Sequence, residues 1–265
     1  MNNNDFLQKY GPVAVITGAS SGIGASFAAN LAAKGFDLVL VARRNDRLQQ
    51  LADSLYQQYQ TGVTVVQADL ASADASEQIL AATRELDTGL LICNAGFGYK
   101  GHFTHGDPQL MSAMLQVNCH SPMALAQGFL PRLQARGRGG VIFTASVEGL
   151  LGCPYSAVYS ASKGFLVNLG EALWAEYAAD PIDILTLCPG ATDTEAPAKQ
   201  GIDPATLSNL MSPEDVAQLT LENITNGPVY IPSDHYRQSF EQLLSLPRAQ
   251  ALQAMAAGMK PGSGR

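Results

Sequence analysis

Residues 12–44 read PVAVITGASSGIGASFAANLAAKGFDLVLVARR, and the order of features in that stretch decides the fold. PVAVIT (12–17) is apolar on both faces, as a strand covered by helices on each side has to be. GASSGIG follows at once, and then a helical stripe in which Ile23, Phe27 and Leu31 recur every fourth residue. DLVLVA (37–42) closes the unit with a second two-faced apolar run. Strand, glycine turn, helix and strand in this order predict two parallel strands joined by a crossover helix.

Working outward, the alternation continues through VTVVQA (63–68), LLIC (90–93), VIFTAS (141–146), IDILTLC (182–188) and PVYIP (228–232), with longer segments of helical period between them. Six alternations predict an α/β chain, one domain over 1–265, on a Rossmann-type doubly wound parallel sheet of about seven strands with helices on both faces. No repeat, linker or low-complexity stretch divides it. One segment departs from the pattern. Residues 195–211, EAPAKQGIDPATLSNLM, carry two prolines and a glycine before SPEDVA, where Ser212 as N-cap and Pro213 at the first helical position restart a helix. A weakly patterned segment of this length predicts a mobile substrate flap.

Sixteen Lys and Arg against 23 Asp and Glu leave a net charge of −7, which gives no field to hold a phosphate backbone or an anionic membrane. Charged residues are 15% of the chain against about 25% in typical soluble domains, so a large buried sheet or surface hidden in an oligomer is expected. Cys93, Cys119, Cys153 and Cys188 form no CxxC pair and read as reduced thiols of a cytoplasmic protein. The start, MNNNDFLQKYGP, lacks the order of a signal peptide, and the longest uncharged run, 110–131, carries too many polar groups to span a bilayer. His102, His105, His120 and His235 have no ligand spacing, so no metal is expected. Leu252, Met255, Ala256 and Met259 form an apolar stripe that predicts a core or subunit contact.

In the glycine turn, Gly18 permits the tight turn, Gly22 lets the backbone approach a pyrophosphate, and Gly24 lets helix and strand pack closely. The following helix start offers free N–H groups and partial positive charge to phosphates. Further on, Tyr159 and Lys163 stand four residues apart in YSASK, on one helix face. An ammonium about 4 Å from a phenol, at an effective dielectric near 20, supplies about the 4 kcal/mol that would bring a tyrosine from its usual pKa near 10 to neutrality. On spacing alone, an ordinary helix with a core Tyr and a solvated Lys gives the same pattern.

TGASSGIG, NAG at 94–96, Asn118, Ser146, YSASK and the PG at 189 and 190, in this order, resemble the classical short-chain dehydrogenase/reductase family. The resemblance covers nearly the whole chain, and the TGxxxGxG spacing from Thr17 to Gly24 separates it from the extended sugar-nucleotide branch. It implies Tyr159 as general acid/base, Lys163 as the holder of the nicotinamide ribose that lowers the tyrosine pKa, and Ser146 as the hydroxyl stabilising the oxyanion. Asn118 then positions a water for proton relay. Cofactor contacts are implied for Gly18, Ser20, Ser21, Gly22, Ile23, Gly24, and for the turn Asn94, Ala95, Gly96. Pro189, Gly190, Thr192 and Thr194 match the PGxxxT turn that fixes the carboxamide. Asp69 and Leu70 match the adenine contact, although Asp69 also suits the capping of the next segment. Cys93 stands where the family often has Asn, and reads as packing.

The end of the second strand has Ala42, Arg43 and Arg44 where an NAD enzyme carries an acid, so NADP(H) is expected over NAD(H), with Arg43 the better placed for a 2′-phosphate. The substrate expected is a small lipophilic carbonyl or its alcohol, met by Ser146, Glu148, Tyr155 and Tyr159 with Leu150, Leu151 and Cys153 as an apolar wall and Phe97, Gly98 and Tyr99 opposite. Glu148 faces either the pocket or solvent. The resemblance also implies a homodimer or homotetramer. Two other readings, a non-catalytic NADP(H)-binding sensor and a sugar-nucleotide epimerase or dehydratase, need less of the motif set or a different glycine spacing.

Overall fold

The computed structural model describes residues 1–200 and 202–259. Along the chain it runs α1 (Asn3–Tyr10), β1 (Val13–Thr17), α2 (Gly22–Ala33), β2 (Asp37–Ala42), α3 (Asn45–Tyr59), β3 (Val63–Gln67), α4 (Ala75–Ala82) and β4 (Thr88–Cys93). The second half is α5 (Pro108–Leu115), α6 (Ser121–Arg136), β5 (Gly139–Thr144), α7 (Ala157–Glu176), β6 (Ile182–Leu187), α8 (Glu195–Lys199), α9 (Pro213–Glu222), β7 (Val229–Tyr230), α10 (Asp234–Ser245) and α11 (Arg248–Met259). Seven strands form one parallel sheet in the order β3-β2-β1-β4-β5-β6-β7. Neighbours β1 and β4 lead away in opposite directions, which makes the gap at their carboxyl ends the switch point where such sheets bind ligands.

Alternate side chains of each strand feed two cores, as the pleat requires. Val15, Val39, Leu91, Val141 and Ile184 meet α4, α6 and α7 on one face, whereas Ile16, Leu38, Leu40, Ile92 and Leu185 meet α2 and α9 on the other. The expected Ile23, Phe27, Leu31 stripe is seated there, with Phe27 and Leu31 fully buried. Strands β1, β4 and β5 are buried along their whole length, while β3, at the sheet edge, is half exposed. PVYIP yields only the two paired residues of β7, at the other edge.

Helix α1 has no counterpart in the sequence reading. Asn2 caps it by accepting from the Asp5 N–H at 2.9 Å, and Phe6 and Tyr10 pack into the core below β1. The Tyr10 hydroxyl and the Lys9 ammonium both meet the Asp183 carboxylate on β6. Ser212 caps α9 as expected, its Oγ accepting from the Asp215 N–H at 3.0 Å with Pro213 at the helix start. The C-terminal stripe is core: Met255 is buried, and Leu252 and Met259 pack on the cluster that includes Leu151 and Cys153. No helix among the described residues is long and apolar enough to cross a membrane.

Candidate active site

Thr17 ends β1 and binds the end of β4 to it. Its Oγ1 accepts from the N–H groups of Asn94 (3.0 Å) and Ala95 (3.1 Å), and Asn94 Nδ2 donates back to the Thr17 carbonyl at 3.2 Å. This pair sets the Asn94, Ala95, Gly96 turn beside the glycine turn. Gly18 has φ +67°, and a β-carbon at Gly24 would stand 2.3 Å from the Gly18 carbonyl oxygen, so the turn closes only on glycine. Gly22, Ile23 and Gly24 form the first turn of α2, whose leading N–H groups have no intrahelical partner and suit phosphate oxygens.

At the end of β2 the two arginines differ. The Arg44 guanidinium donates to Ser20 Oγ (3.2 and 3.0 Å) and Ser21 Oγ (2.7 Å), tying the strand end to the glycine turn. Arg43 is exposed, and among the described residues its side chain makes no hydrogen bond or ion pair; only its carbonyl is used, by Gln67 Nε2 at 3.2 Å. Asp69 is exposed and its Oδ1 accepts from the Ala71 N–H at 3.1 Å, a local cap, while Leu70 is buried beneath it.

Across the switch point, α5 and α6 are one run interrupted by a π-helical turn, Gln116–His120. Such a turn inserts a residue and re-aims the side chains in it. Asn118 is thereby fully buried, donating to Phe97 O (2.9 Å) and Ser162 Oγ (3.0 Å) and accepting from Phe97 N–H (3.1 Å). Ser146 follows β5 and caps a short turn, its Oγ accepting from the Glu148 N–H at 3.2 Å. Helix α7 brings Tyr159 and Lys163 to the same place; Lys163 Nζ donates to the Thr144 carbonyl at 2.7 Å and lies 5.8 Å from the Tyr159 ring centroid. Gly96 faces them closely: a β-carbon there would lie 3.0 Å from Lys163 Nζ and 3.1 Å from Asn118 Oδ1. Four residues spread over 46 positions converge at the carboxyl ends of β4 and β5.

The electrostatics correct one expectation. The Lys163 charge was expected to pull the Tyr159 phenol down, yet burial pushes it above its ordinary value, the Glu148 carboxylate adds to the rise, and only the Ser146 hydroxyl draws it back. Burial also brings Lys163 down to about 8. In a site with little water, desolvation penalises the charged form of each group more than their attraction repays.

Around this centre, Val147, Leu151 and Cys153 are buried in the core, and Leu150 packs partly buried against it. Burial pushes the Cys153 thiol up to about 12, so it packs as a thiol. Glu148 turns inward: Lys100 Nζ pairs with its Oε1 at 2.7 Å, and its Oε2 is buried without a hydrogen-bond partner among the described residues. Tyr155 holds a left-handed backbone (φ +61°), its carbonyl accepting from the Gly101 N–H at 2.8 Å and its ring edge-on to His102 at 5.1 Å. Phe97 packs against the core beside these groups.

The remaining residues lie at the carboxyl end of β6. The Pro189 carbonyl accepts from the Val147 N–H at 3.1 Å, and the Tyr236 ring of α10 covers Gly190 so closely that a β-carbon would meet it at 2.1 Å. Thr192 is buried, with Oγ1 donating to the Gly190 carbonyl at 3.2 Å, and forms a parallel bridge with Met211. The segment 195–211 thus leaves and returns through one pinned neck, and among its described residues stand α8 and a 3₁₀ turn, Pro204–Thr206. Thr194 spends its hydroxyl on capping α8, accepting from the Ala196 N–H at 3.2 Å.

The sequence reading passed over Thr17, Lys100, Glu195 and Gln200, all of which touch the site. Thr17 had a signal, as the hydroxyl directly before the glycine turn. The other three had none, because their partners stand far along the chain: Lys100 meets Glu148, Glu195 meets Arg44, and Gln200 lies on Gly98. Among the described residues no group of three or more His, Cys, Asp or Glu is placed to hold a metal.

Residues 12–204 match the family model described as short chain dehydrogenase. A 7β-hydroxysteroid dehydrogenase from Clostridium sardiniense is 29% identical over 239 residues, 90% of this chain and 92% of that one. A solved 7β-hydroxysteroid dehydrogenase superposes with a TM-score of 0.88 at 25% identity, covering 95% of this chain and 99% of that one. The short-chain dehydrogenase of Sphingobium yanoikuyae, solved in complex with NADPH, gives 0.82 at 30% identity over 96% and 98%. With its sheet order, its glycine turn and the convergence of Asn118, Ser146, Tyr159 and Lys163 at the switch point, this chain belongs to the short-chain dehydrogenase family of oxidoreductases.

Proposed function

We propose that this chain is an NADP(H)-dependent oxidoreductase that reduces a bulky lipophilic ketone, or oxidises the corresponding secondary alcohol, with Tyr159 as general acid/base. The observation that carries the reading is the gathering of Asn118 and Lys163 against Gly96, with the Tyr159 ring beside Lys163 and the Ser146 hydroxyl bonded to Tyr159. The glycine cradle fits a dinucleotide, since the turn closes only on glycine at Gly18 and Gly24 and leads directly into the free N–H groups that start α2. Arg43, exposed and without a side-chain hydrogen bond or ion pair among the described residues, fits a 2′-phosphate at the end of β2 together with its neighbour Arg44. NADPH when bound supplies the hydride that reaches the carbonyl carbon.

The chain's own residues do the rest. Ser146 donates a hydrogen bond to the carbonyl oxygen and holds it beside the Tyr159 hydroxyl. Tyr159, kept protonated by burial, gives its proton to that oxygen as negative charge develops there. The Lys163 ammonium favours the resulting phenolate and orients the ribose. Asn118 holds the Phe97 segment at the site, and the side chains of Leu150, Leu151 and Cys153 exclude water. A bulky alicyclic substrate suits this wall and the likeness to 7β-hydroxysteroid dehydrogenases. The segment 195–211, hinged at the Thr192 and Met211 neck, is proposed to move when substrate enters.

The test is a panel of bulky ketones and secondary alcohols, steroids included, run with NADPH and NADH in parallel on the wild type, Tyr159→Phe and Arg43→Ala. Turnover should fall at least a thousandfold in Tyr159→Phe with NADPH affinity retained, and Arg43→Ala should lose the preference for NADPH. Undiminished turnover in Tyr159→Phe would sink the mechanism, and an unaltered cofactor ratio in Arg43→Ala would sink the phosphate assignment.

A further inference from the structure

Glu195, the first residue of α8, meets three cations at once. Arg44 Nη1 reaches its Oε2 at 2.9 Å, Lys199 Nζ reaches the same oxygen at 2.6 Å from one turn along the helix, and Arg47 on α3 pairs with its Oε1. Two of these cations belong to the end of β2 and the start of α3, 151 and 148 residues away in sequence. Together the three hold the carboxyl well below the usual carboxylate range. Arg44 is also the guanidinium that ties Ser20 and Ser21 of the glycine turn, so Glu195 docks on the rim of the phosphate cradle. The two ends of α8 touch opposite sides of the crevice. The Thr194 methyl lies against Gly22, where a β-carbon would meet it at 2.9 Å, and at the far end Gln200 lies on Gly98, where the corresponding distance is 3.0 Å.

We propose that Glu195 is a specificity-determining residue whose carboxylate occupies the cation cluster a cofactor 2′-phosphate seeks, so that NADP(H), unlike NAD(H), has to displace it and in doing so unfastens α8 from the β2 end. This rests on the NADP(H) reading given above. A phosphate dianion presents more charge and more acceptor oxygens than a carboxylate to a guanidinium fork, so it displaces the carboxylate from Arg44. The displaced Glu195 keeps Lys199, its neighbour on the same helix, as a partner. Competition by the internal carboxylate lowers the affinity for the phosphorylated cofactor and leaves the unphosphorylated one untouched. A glutamate at the head of the flap thereby links the identity of the cofactor to the fastening of the segment over the crevice.

The probes are adenosine 2′,5′-bisphosphate and 5′-AMP, which differ only in the group at issue, titrated against the full-length wild type and Glu195→Gln, alongside NADPH and NADH. Glu195→Gln should bind the bisphosphate and NADPH about three- to tenfold more tightly, with 5′-AMP and NADH changed less than twofold, a magnitude set by partly screened surface ion pairs. In 1 M salt the difference between variant and wild type should shrink toward none. Lys199→Gln, which removes the partner Glu195 would fall back on, should change the same ratio in the opposite direction to Glu195→Gln. An unchanged or equal shift of phosphorylated and unphosphorylated probes in Glu195→Gln overturns the proposal, whatever the wild-type preference. A wild type that does not favour NADPH, combined with a Glu195→Gln variant that does, would instead overturn the cofactor reading and leave the role of Glu195 standing.

Discussion

The Asn118 side chain engages both backbone polar groups of Phe97, donating from Nδ2 to its carbonyl at 2.9 Å and accepting at Oδ1 from its N–H at 3.1 Å. This is the pairing one β-strand residue offers another, made here by an amide. It fixes the chain just after Gly96, the residue that faces Lys163 and Asn118 itself. Asn118 therefore shapes the site through the loop: both of its side-chain N–H groups are spent, on Phe97 and Ser162, while Oδ1 has one of its two lone pairs engaged by the Phe97 N–H.

Replacing Asn118 with Asp keeps the acceptor and turns the donor into a second acceptor facing the Phe97 carbonyl. We expect Asn118→Asp to lose about 1–3 kcal/mol of stability, the cost of buried groups left unpaired, and to lower kcat about tenfold or more. Denaturant unfolding and steady-state kinetics on one preparation test it. Wild-type kcat in a variant of unaltered stability would show that the contact shapes nothing.

The Glu148 carboxylate raises the Tyr159 pKa through space. Removing its charge in Glu148→Gln should let the phenol ionise at lower pH. The rising limb of the alcohol-oxidation profile then moves to lower pH, and so does the falling limb of carbonyl reduction. A shift of either limb upward, or none, contradicts the placement of that charge beside the phenol.

Lys163 is brought by burial to about 8, so it carries its charge below that pH and loses it above. For carbonyl reduction, kcat/KM reports the free enzyme and should fall as pH rises through about 8. Because a lysine buried as a cation costs the fold most while it is charged, stability should rise with pH from about 8 up to the ordinary lysine value of 10.5. Thermal melts between pH 7 and 10 check the sign. Stability that declines steadily through that window would refute the burial of a charged Lys163.

Exposed large apolar side chains gather on α5, α6 and α7, at Leu110, Leu115, Met123, Phe165 and Trp174. We expect these helices to pair in a homodimer or homotetramer. Phe165→Asp should then give a smaller species by light scattering at micromolar concentration, with secondary structure intact. Wild-type protein running as a monomer at every concentration would end that expectation.

Much of the fold and the chemistry was legible along the chain. Ile23, Phe27 and Leu31 gave α2 because a helix buries one face, and the two-faced apolar runs gave the strands because a parallel sheet is covered on both sides. The glycines at 18, 22 and 24 carried their turn in their spacing, since they act within a single turn, whereas the spacing of Tyr159 and Lys163 fixed only a shared helix face and their expected roles came from the family resemblance. Helix α1 was missed because it has only Phe6 and Tyr10 to bury among polar residues, too short a period to see.

Sequence by itself determined those parts in which neighbouring residues cooperate: the order of strands and helices, the glycine turn and its helix, the YSASK face and the caps at Ser212 and Pro213. Tertiary structure alone decided the parts made by distant residues meeting across the sheet. It set Asn118 on Phe97, Lys100 on Glu148 and Glu195 on Arg44, and it set the direction in which the Tyr159 and Lys163 pKa values move. The physical reason is that spacing along a chain fixes backbone geometry, whereas charge energies depend on how much water remains around a group and which distant charges the fold brings beside it.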